Sequence, residues 1–278
     1  MMKSLKNKLR LDEYLVENEY YESLDLAKRN IMAGNVLINE IKKEKPGEII
    51  EINKIKSIRV RQRDCPYVSR GGLKLEKAIK EFKIDFKDKM VLDIGASTGG
   101  FTDCALQNGA KFVYAIDVGT NQLDWKLRNN VQIKSIENKH INDLEFMDID
   151  NVKPDILVMD ISFISIKKVI LNLKKFMRND SVGIFLIKPQ FEVSREFLEK
   201  GIVKDINEQK NIIEEIVNDF ETKGVYLKNI TVSPIRGSKG NIEYLAEFSV
   251  NIEYKVKSIK ELLENLIIDE NEHNKHNN

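Results

Sequence analysis

Three polar residues stand where predicted strands end. Asp117 closes the run from Phe112 to Val118, Asp160 follows Asp155 to Met159, and Lys188 follows Val182 to Ile187. Carboxylates and an amine gathered on one rim can bind a polar ligand and move a proton. Upstream lies a glycine-rich stretch, Met90 to Asp103, with Gly95, Gly99 and Gly100. It reads as a short buried strand, a tight turn and the start of a helix reaching about Asn108. Glycines there permit positive φ and let a ligand approach the main chain, and the helix start offers free N–H groups. This is a turn of the kind that holds nucleotide-type cofactors. Its spacing is neither G-x-G-x-x-G nor G-x-x-x-x-G-K-[ST], so neither a dinucleotide fingerprint nor a P-loop fits. Asp117 falls about twenty residues beyond the turn, where an acidic residue commonly accepts from ribose hydroxyls.

The elements that must position these residues alternate strand and helix, which predicts a doubly wound α/β sheet. Ligands of such sheets bind beyond the carboxyl ends of the strands. Asp117, Asp160 and Lys188 are therefore expected to converge on the rim that carries the glycine turn. Before the turn, Lys74 opens an amphipathic helix with Leu75, Ala78, Ile79 and Phe82 on one face. After Lys188, a helix near 207–223 and a strand at 225–232 lead to the loop Ser233 to Asn241 and a last strand from about Glu243 to Val250. Residues 251–268 read as a closing helix and 269–278 as a polar tail.

Residues 1–62 form a separate small α+β unit. Leu9 to Glu17 and Ser23 to Ala33 read as helices, with Ser23 as N-cap of the second. Val36 to Ile38, Glu48 to Ile52 and Ser57 to Val60 read as strands. Residues 63–68 are taken as the linker to a second domain at 69–252, with 253–278 as its C-terminal extension.

A chain of 278 residues with 42% hydrophobic content has room for one large and one small core. The net charge of +1 announces no nucleic-acid partner, so any basic footprint must be local. Two cysteines, Cys65 and Cys104, make no disulfide framework. Two of the three histidines fall in the tail, so no metal site is expected. The amino terminus lacks a signal-peptide apolar segment, and no apolar run is long enough to span a membrane. These features together point to a cytoplasmic protein without a membrane partner.

Five segments together resemble the TlyA family: Ser69-Arg70-Gly71-Gly72-x-Lys74-Leu75, Asp93 to Asp103, Asp160-x-Ser162-Phe163-Ile164-Ser165, Lys188-Pro189-Gln190-Phe191-Glu192 and Gly240-Asn241-x-Glu243. That family joins an S4 RNA-binding domain to an FtsJ-like methyltransferase domain with a Rossmann-like sheet. Its members, often labelled hemolysin A, methylate the 2′-oxygen of cytidine in ribosomal RNA (16S, 23S or both) with S-adenosylmethionine as donor. The S4 likeness rests on Arg10-Leu11-Asp12, Ser23-x-x-x-Ala27 and Gly34-x-Val36-x-Ile38-Asn39.

The resemblance implies a Lys-Asp-Lys-Glu tetrad at Lys74, Asp160, Lys188 and Glu243. It places the cofactor on Asp93, Gly95, Ala96, Ser97, Thr98, Gly99, Gly100 and Phe101 of the turn and on Asp117 and Val118. It implies RNA contacts at Lys8, Arg10, Lys28, Arg29 and Arg70, with ribosomal RNA or a ribosomal subunit as partner. Lys188 is expected to act as base and Lys74 to stabilise the developing alkoxide. A nearby second lysine and partial burial would lower a lysine pKa, and neighbouring carboxylates would oppose that. Each residue also has a plainer reading. Lys74 is then a surface helix lysine, Asp160 a helix cap, Lys188 a loop lysine and Glu243 a strand-edge charge. Phe163 either stacks on a base or the adenine, or belongs to the core. One departure stands at His140 and Asn142, where the family pattern has Asn and Arg.

Two other functions compete. A non-catalytic RNA-binding or ribosome-assembly protein would keep the fold and lose the transfer step. A pore-forming hemolysin would need an export signal or apolar segments that the sequence lacks.

Overall fold

The computed structural model describes residues 8–18, 20–21, 24–60, 65–237, 240–264 and 266. The expected N-cap Ser23 and the tail from 269 onward lie outside the described residues. So do Ser238 and Lys239 of the loop before the last strand. The chain forms two compact units, 1–66 and 67–278.

In the first unit, strand β1 (Lys8–Arg10) precedes helices α1 (Leu11–Glu17) and α2 (Leu24–Met32). Strands β2 (Val36–Ile38), β3 (Ile41–Lys43), β4 (Ile49–Glu51) and β5 (Ile58–Val60) follow. β1 pairs with β4, and β3, β2 and β5 form a three-stranded antiparallel sheet. Leu11, Leu15, Ala27 and Ile31 share a core with Val36, Ile38 and Ile50. Helix α1 starts at Leu11 rather than Leu9, because Lys8–Arg10 pairs as a strand with Ile49–Glu51. Three-residue strands such as β1 and β3 carry too little alternation to be read from sequence alone.

The second unit opens with α3 (Gly71–Phe82), β6 (Met90–Ile94), α4 (Gly100–Gln107) and β7 (Phe112–Ile116). It continues with α5 (Trp125–Arg128), β8 (Ile133–Ile136), β9 (Ile156–Met159), α6 (Ile170–Lys174) and β10 (Val182–Ile187). It closes with α7 (Ile206–Thr222), β11 (Tyr226–Val232) and β12 (Tyr244–Ser249). The sheet order is β11-β12-β10-β9-β6-β7-β8. β12 runs antiparallel to both its neighbours, and the other pairings are parallel. This is the doubly wound α/β sheet expected, with one reversed strand.

The central strands are apolar, Asp93 of β6 excepted, because helices cover both faces. Leu92, Ile94, Leu157, Met159, Phe185 and Ile187 all lie in the main core. Helix α7 adds Ile212, Ile213, Ile216, Val217 and Phe220, two adjacent pairs and a single residue repeating every three to four positions, so that they share one face. Its N-cap Asp205 accepts from the Asn207 N–H at 2.9 Å. Beyond β12, residues 259–264 are helical, and Leu263 and Leu266 reach the same core.

The winding direction sets the site. From β6 the chain moves outward through β7 and β8, then returns to β9 on the other side of β6. Crossovers leave in opposite directions at the β6–β9 boundary, so a crevice opens at the carboxyl ends of those two strands.

Candidate active site

The glycine turn leaves β6 at this switch point. Gly95 and Gly99 hold φ of +79° and +94°, and Ser97 between them takes +49°. A Cβ on Gly95 would stand 2.6 Å from the Asp160 carbonyl oxygen, so the turn and the end of β9 touch through main chain. Gly100 serves another purpose than the positive φ expected of it. A Cβ there would meet Ser69 Oγ at 2.4 Å and the Gly72 nitrogen at 2.8 Å. The missing side chain of Gly100 thus lets the start of α4 meet the start of α3 backbone to backbone at Gly71 and Gly72. That approach brings Lys74, on the first turn of α3, to the rim. Tyr67 packs over Gly72, and the Val68 N–H donates to Asp103 Oδ2 at 2.7 Å, which anchors the segment leading into α3.

Asp160 follows β9, Lys188 follows β10, and Glu243 immediately precedes the antiparallel β12. The reversed strand matters, because its amino end lies beside the carboxyl ends of its neighbours. Ile187 pairs with Tyr244, so Lys188 and Glu243 leave the sheet on the same side. All four predicted residues meet here. Lys188 Nζ is 2.5 Å from Asp160 Oδ1, and Lys74 Nζ is 3.5 Å from Asp160 Oδ2. Lys74 Nζ also donates to Glu243 Oε2 at 2.6 Å. Lys74 and Lys188 are each 8% exposed and Glu243 2%. A plain surface role for either lysine, or for Glu243, therefore does not describe their positions. Gly237 has no side chain where Glu243 packs; a Cβ there would lie 2.0 Å from Glu243 Oε1.

Sequence reasoning assigned no role to Ser162, whose hydroxyl accepts from Lys188 Nζ at 2.7 Å. The signal was present in the Asp160-x-Ser162 spacing, which returns to Lys188 once β9 and β10 pair. Two of the three Lys188 N–H positions are thus occupied by Asp160 and Ser162. A neutral amine can keep both bonds and carry its lone pair at the third position. Phe163 holds φ of +68° and is 91% exposed, so it is no core residue.

Asp93 is fully buried at the end of β6. Its Oδ2 accepts from the Thr102 hydroxyl at 2.6 Å, and its Oδ1 has no hydrogen-bond partner. Burial pushes this carboxyl up to about 7, opposed by the Thr102 hydrogen bond and reinforced by the charges of Asp160 and Asp117. Asp117 spends its carboxylate on the loops around it. Oδ2 accepts from Ser97 N–H and Oδ1 from Gly119 N–H, both at 2.7 Å. A carboxylate has about four acceptor sites, so two remain for a ligand. Val118 beside it is exposed. Leu123 and Leu127 pack under Gly99, and the Asp124 N–H donates to the Thr98 carbonyl at 3.1 Å. These contacts brace the turn from below and leave Ser97 and Thr98 exposed.

The donor set fits S-adenosylmethionine. An orphan buried acceptor sits where β6 feeds the turn. The first N–H groups of α4 have no intrahelical partner. Asp117 has capacity left for ribose hydroxyls. These features match the ammonium, carboxylate and ribose of that cofactor.

Of the basic residues expected to meet RNA, Lys8, Arg10, Lys28 and Arg29 belong to the first unit and Arg70 to the second. Arg10 forks onto the buried Asp12, with Nε to Oδ1 at 3.0 Å and Nη2 to Oδ2 at 2.7 Å. Lys8 lies 4.0 Å from Glu51, and Lys28 lies 4.0 Å from Asp25. Arg29 is on α2, and Arg70 is exposed just before α3. At the departure noted in sequence, His140 Nδ1 accepts from the Asn142 N–H at 3.1 Å and Asn142 accepts from Asn172 at 2.6 Å. His140 thus caps a local turn, and Asn142 ties that turn to α6.

Residues 67–249 match the family model of FtsJ-like methyltransferases. YqxC of Bacillus subtilis, provisionally named an rRNA methyltransferase, is 44% identical over 239 residues, covering 86% of this chain and 84% of that protein. The Mycobacterium tuberculosis protein named 16S/23S rRNA (cytidine-2′-O)-methyltransferase TlyA is 32% identical over 241 residues, covering 86% and 89%. A solved Streptococcus thermophilus structure carrying a provisional hemolysin name superposes with a TM-score of 0.71 at 37% identity, covering 97% of this chain and 99% of that one. Among the described residues no helix is long and apolar enough to cross a membrane. With the switch-point turn and the four-residue cluster already in place, these likenesses make the chain a member of the TlyA family of FtsJ-like, S-adenosylmethionine-dependent methyltransferases.

Proposed function

We propose that the chain methylates the 2′-oxygen of cytidine in ribosomal RNA. The observation that carries this reading is Asp160, whose two carboxylate oxygens face Lys188 and Lys74 at the mouth of the cofactor crevice. The cytidine and ribosomal RNA assignment follows the likeness to the M. tuberculosis protein, which is named for that substrate.

When bound, S-adenosylmethionine supplies an electrophilic methyl group on a sulfonium. The turn from Asp93 to Phe101 holds its amino-acid end, and Asp117 and Val118 hold its nucleoside. A ribose 2′-hydroxyl is a poor nucleophile until it loses its proton. Lys188, once neutral, takes that proton at Nζ while Asp160 and Ser162 keep the amine oriented. Lys74 stays charged between Glu243 and Asp160 and stabilises the oxygen as negative charge develops. A positioned base contributes about 10²- to 10⁴-fold, and fixing the reacting groups adds to that. The first unit, read as an S4 domain over residues 1–62, brings the RNA through Lys8, Lys28 and Arg29, with Arg70 beside the crevice. Arg10 joins them with the donors that Asp12 leaves free.

The test is transfer from methyl-labelled S-adenosylmethionine to small and large ribosomal subunits offered separately, followed by mapping of 2′-O-methyl sites. Label on cytidine 2′-oxygens of either subunit supports the reading. No label in either subunit overturns it. Cofactor binding without transfer would favour the RNA-binding alternative.

A further inference from the structure

The loops after β9 and β10 face each other in step at three places. At the crevice end, Lys188 binds Asp160 and Ser162. In the middle, the Phe191 and Phe163 rings lie with centroids 5.1 Å apart. At the far end, Glu192 Oε2 accepts from the Ser165 hydroxyl at 2.6 Å and Oε1 accepts from the Ile166 N–H at 2.9 Å. None of the catalytic roles above uses Glu192.

Both ends of the Glu192 tie are rigid. On its own side, Phe191 N–H donates to the Lys188 carbonyl at 2.9 Å and Glu192 N–H to the Pro189 carbonyl at 3.0 Å. Lys188 and Glu192 therefore sit on one closed turn. On the other side, Ile166 is 2% exposed within the main core. Ser165 also caps the turn that starts there, accepting from Lys167 N–H at 3.2 Å. Between the ties stands Phe163 in its left-handed conformation, which is strained for a side-chain-bearing residue and persists only where surroundings enforce it. The Asp160–Ser165 bend is thus held at both ends by residues of the Lys188–Glu192 turn.

We propose that Glu192 is a positioning residue for methyl transfer: by holding Ser165 and Ile166 it fixes the bend that presents Asp160 and Ser162 to Lys188. The proposal rests on Lys188 acting as base, and its test separates the two. Lysine reactivity in the full-length protein is measured by competitive acetylation with acetic anhydride and mass spectrometry, with the other lysines as internal references. Melting temperature, cofactor affinity and methyl transfer are followed on the same samples. In Glu192→Ala, Lys188 acetylation should rise about fivefold as its anchors loosen. The kcat for transfer should fall about tenfold to a hundredfold, with RNA KM and cofactor Kd within about twofold. Glu192→Gln can still accept from Ile166 N–H and donate to Ser165, and it should restore both readouts. If Glu192→Ala fails to fold, Ser165→Ala decides, with a smaller rise in Lys188 acetylation expected. Unchanged Lys188 acetylation in the folded variant overturns the positioning role. Absence of methyl transfer in the unsubstituted protein overturns the functional reading instead, while acetylation still decides the role of Glu192.

Discussion

Lys74 Nζ lies 2.6 Å from Glu243 Oε2 although the two residues are 169 positions apart in the chain, and both groups are almost wholly buried. Such a pair is costly to desolvate and more costly to break, because the surviving charge is stranded. Lys74→Ala should destabilise the protein by about 3–5 kcal/mol. Replacing both residues by alanine should cost less than the sum of the single changes. Urea unfolding of the two single variants and the double variant checks this coupling.

Lys188 is expected to behave differently. Asp160 keeps Lys74 as a partner when Lys188 is removed, so the loss of stability should be smaller. Methyl transfer should fall by about 10²- to 10⁴-fold in Lys188→Ala. Cofactor affinity should stay within about threefold, since a base that touches only the ribose adds nothing to ground-state cofactor binding. Single-turnover transfer rates beside calorimetric binding separate the two effects.

The Asp93 carboxyl gives a pH signature. Its pKa is raised by burial from the ordinary 3.8 to about 7 in the folded chain. Between those values the folded state binds a proton that the unfolded state has released. The contribution of this group is therefore fully favourable below pH 3.8 and is lost as pH rises towards 7. Asp93→Asn should remove that component of the slope in the cofactor-free protein. Unfolding free energies at pH 5 and pH 8 for the two proteins check it.

Gly100→Ala tests the meeting of α3 and α4. The new methyl would press on the Gly72 nitrogen at 2.8 Å and the Gly71 Cα at 3.1 Å, neither of which can turn away. The expected loss is about 1–3 kcal/mol. Transfer should suffer beyond that loss, because the displaced helix carries Lys74. Thermal melting beside transfer rates under fully folded conditions distinguishes the effects.

Phe163 is exposed and held at positive φ, so it adds nothing to the core and costs backbone energy. Phe163→Gly should leave stability within about 1 kcal/mol, relief of strain offsetting lost ring contact and added chain entropy. If the ring receives the RNA base, RNA KM or transfer rate should still worsen. Equal activity with an intact melting temperature would remove Phe163 from substrate binding.

The turn that begins at Asp93 was readable because glycine spacing, strand-forming residues and a following helix agree locally. The strand-end positions of Asp117, Asp160 and Lys188 were readable for the same reason. The purpose of Gly100 was not, because it depends on Gly71 and Gly72 of another helix. The clamp that Asp117 places on Ser97 and Gly119 was hidden too, since hydrogen-bond partners leave no periodic trace. Strands β1 and β3 escaped notice because three residues carry too little pattern, and pairing with distant partners makes them strands.

What the sequence by itself determined is the alternation of elements, the cofactor turn and the chemical types at the strand ends. These depend on backbone preference and apolar periodicity, which act over neighbouring residues. Only the tertiary structure decided how the charges pair. The switch of winding between β6 and β9 opens the crevice, and the reversal of β12 delivers Glu243 to the same rim as Lys188. Close approach of glycines in α3 and α4 delivers Lys74. Each depends on contacts between segments far apart in the chain, where burial makes a carboxylate and an amine choose each other over water.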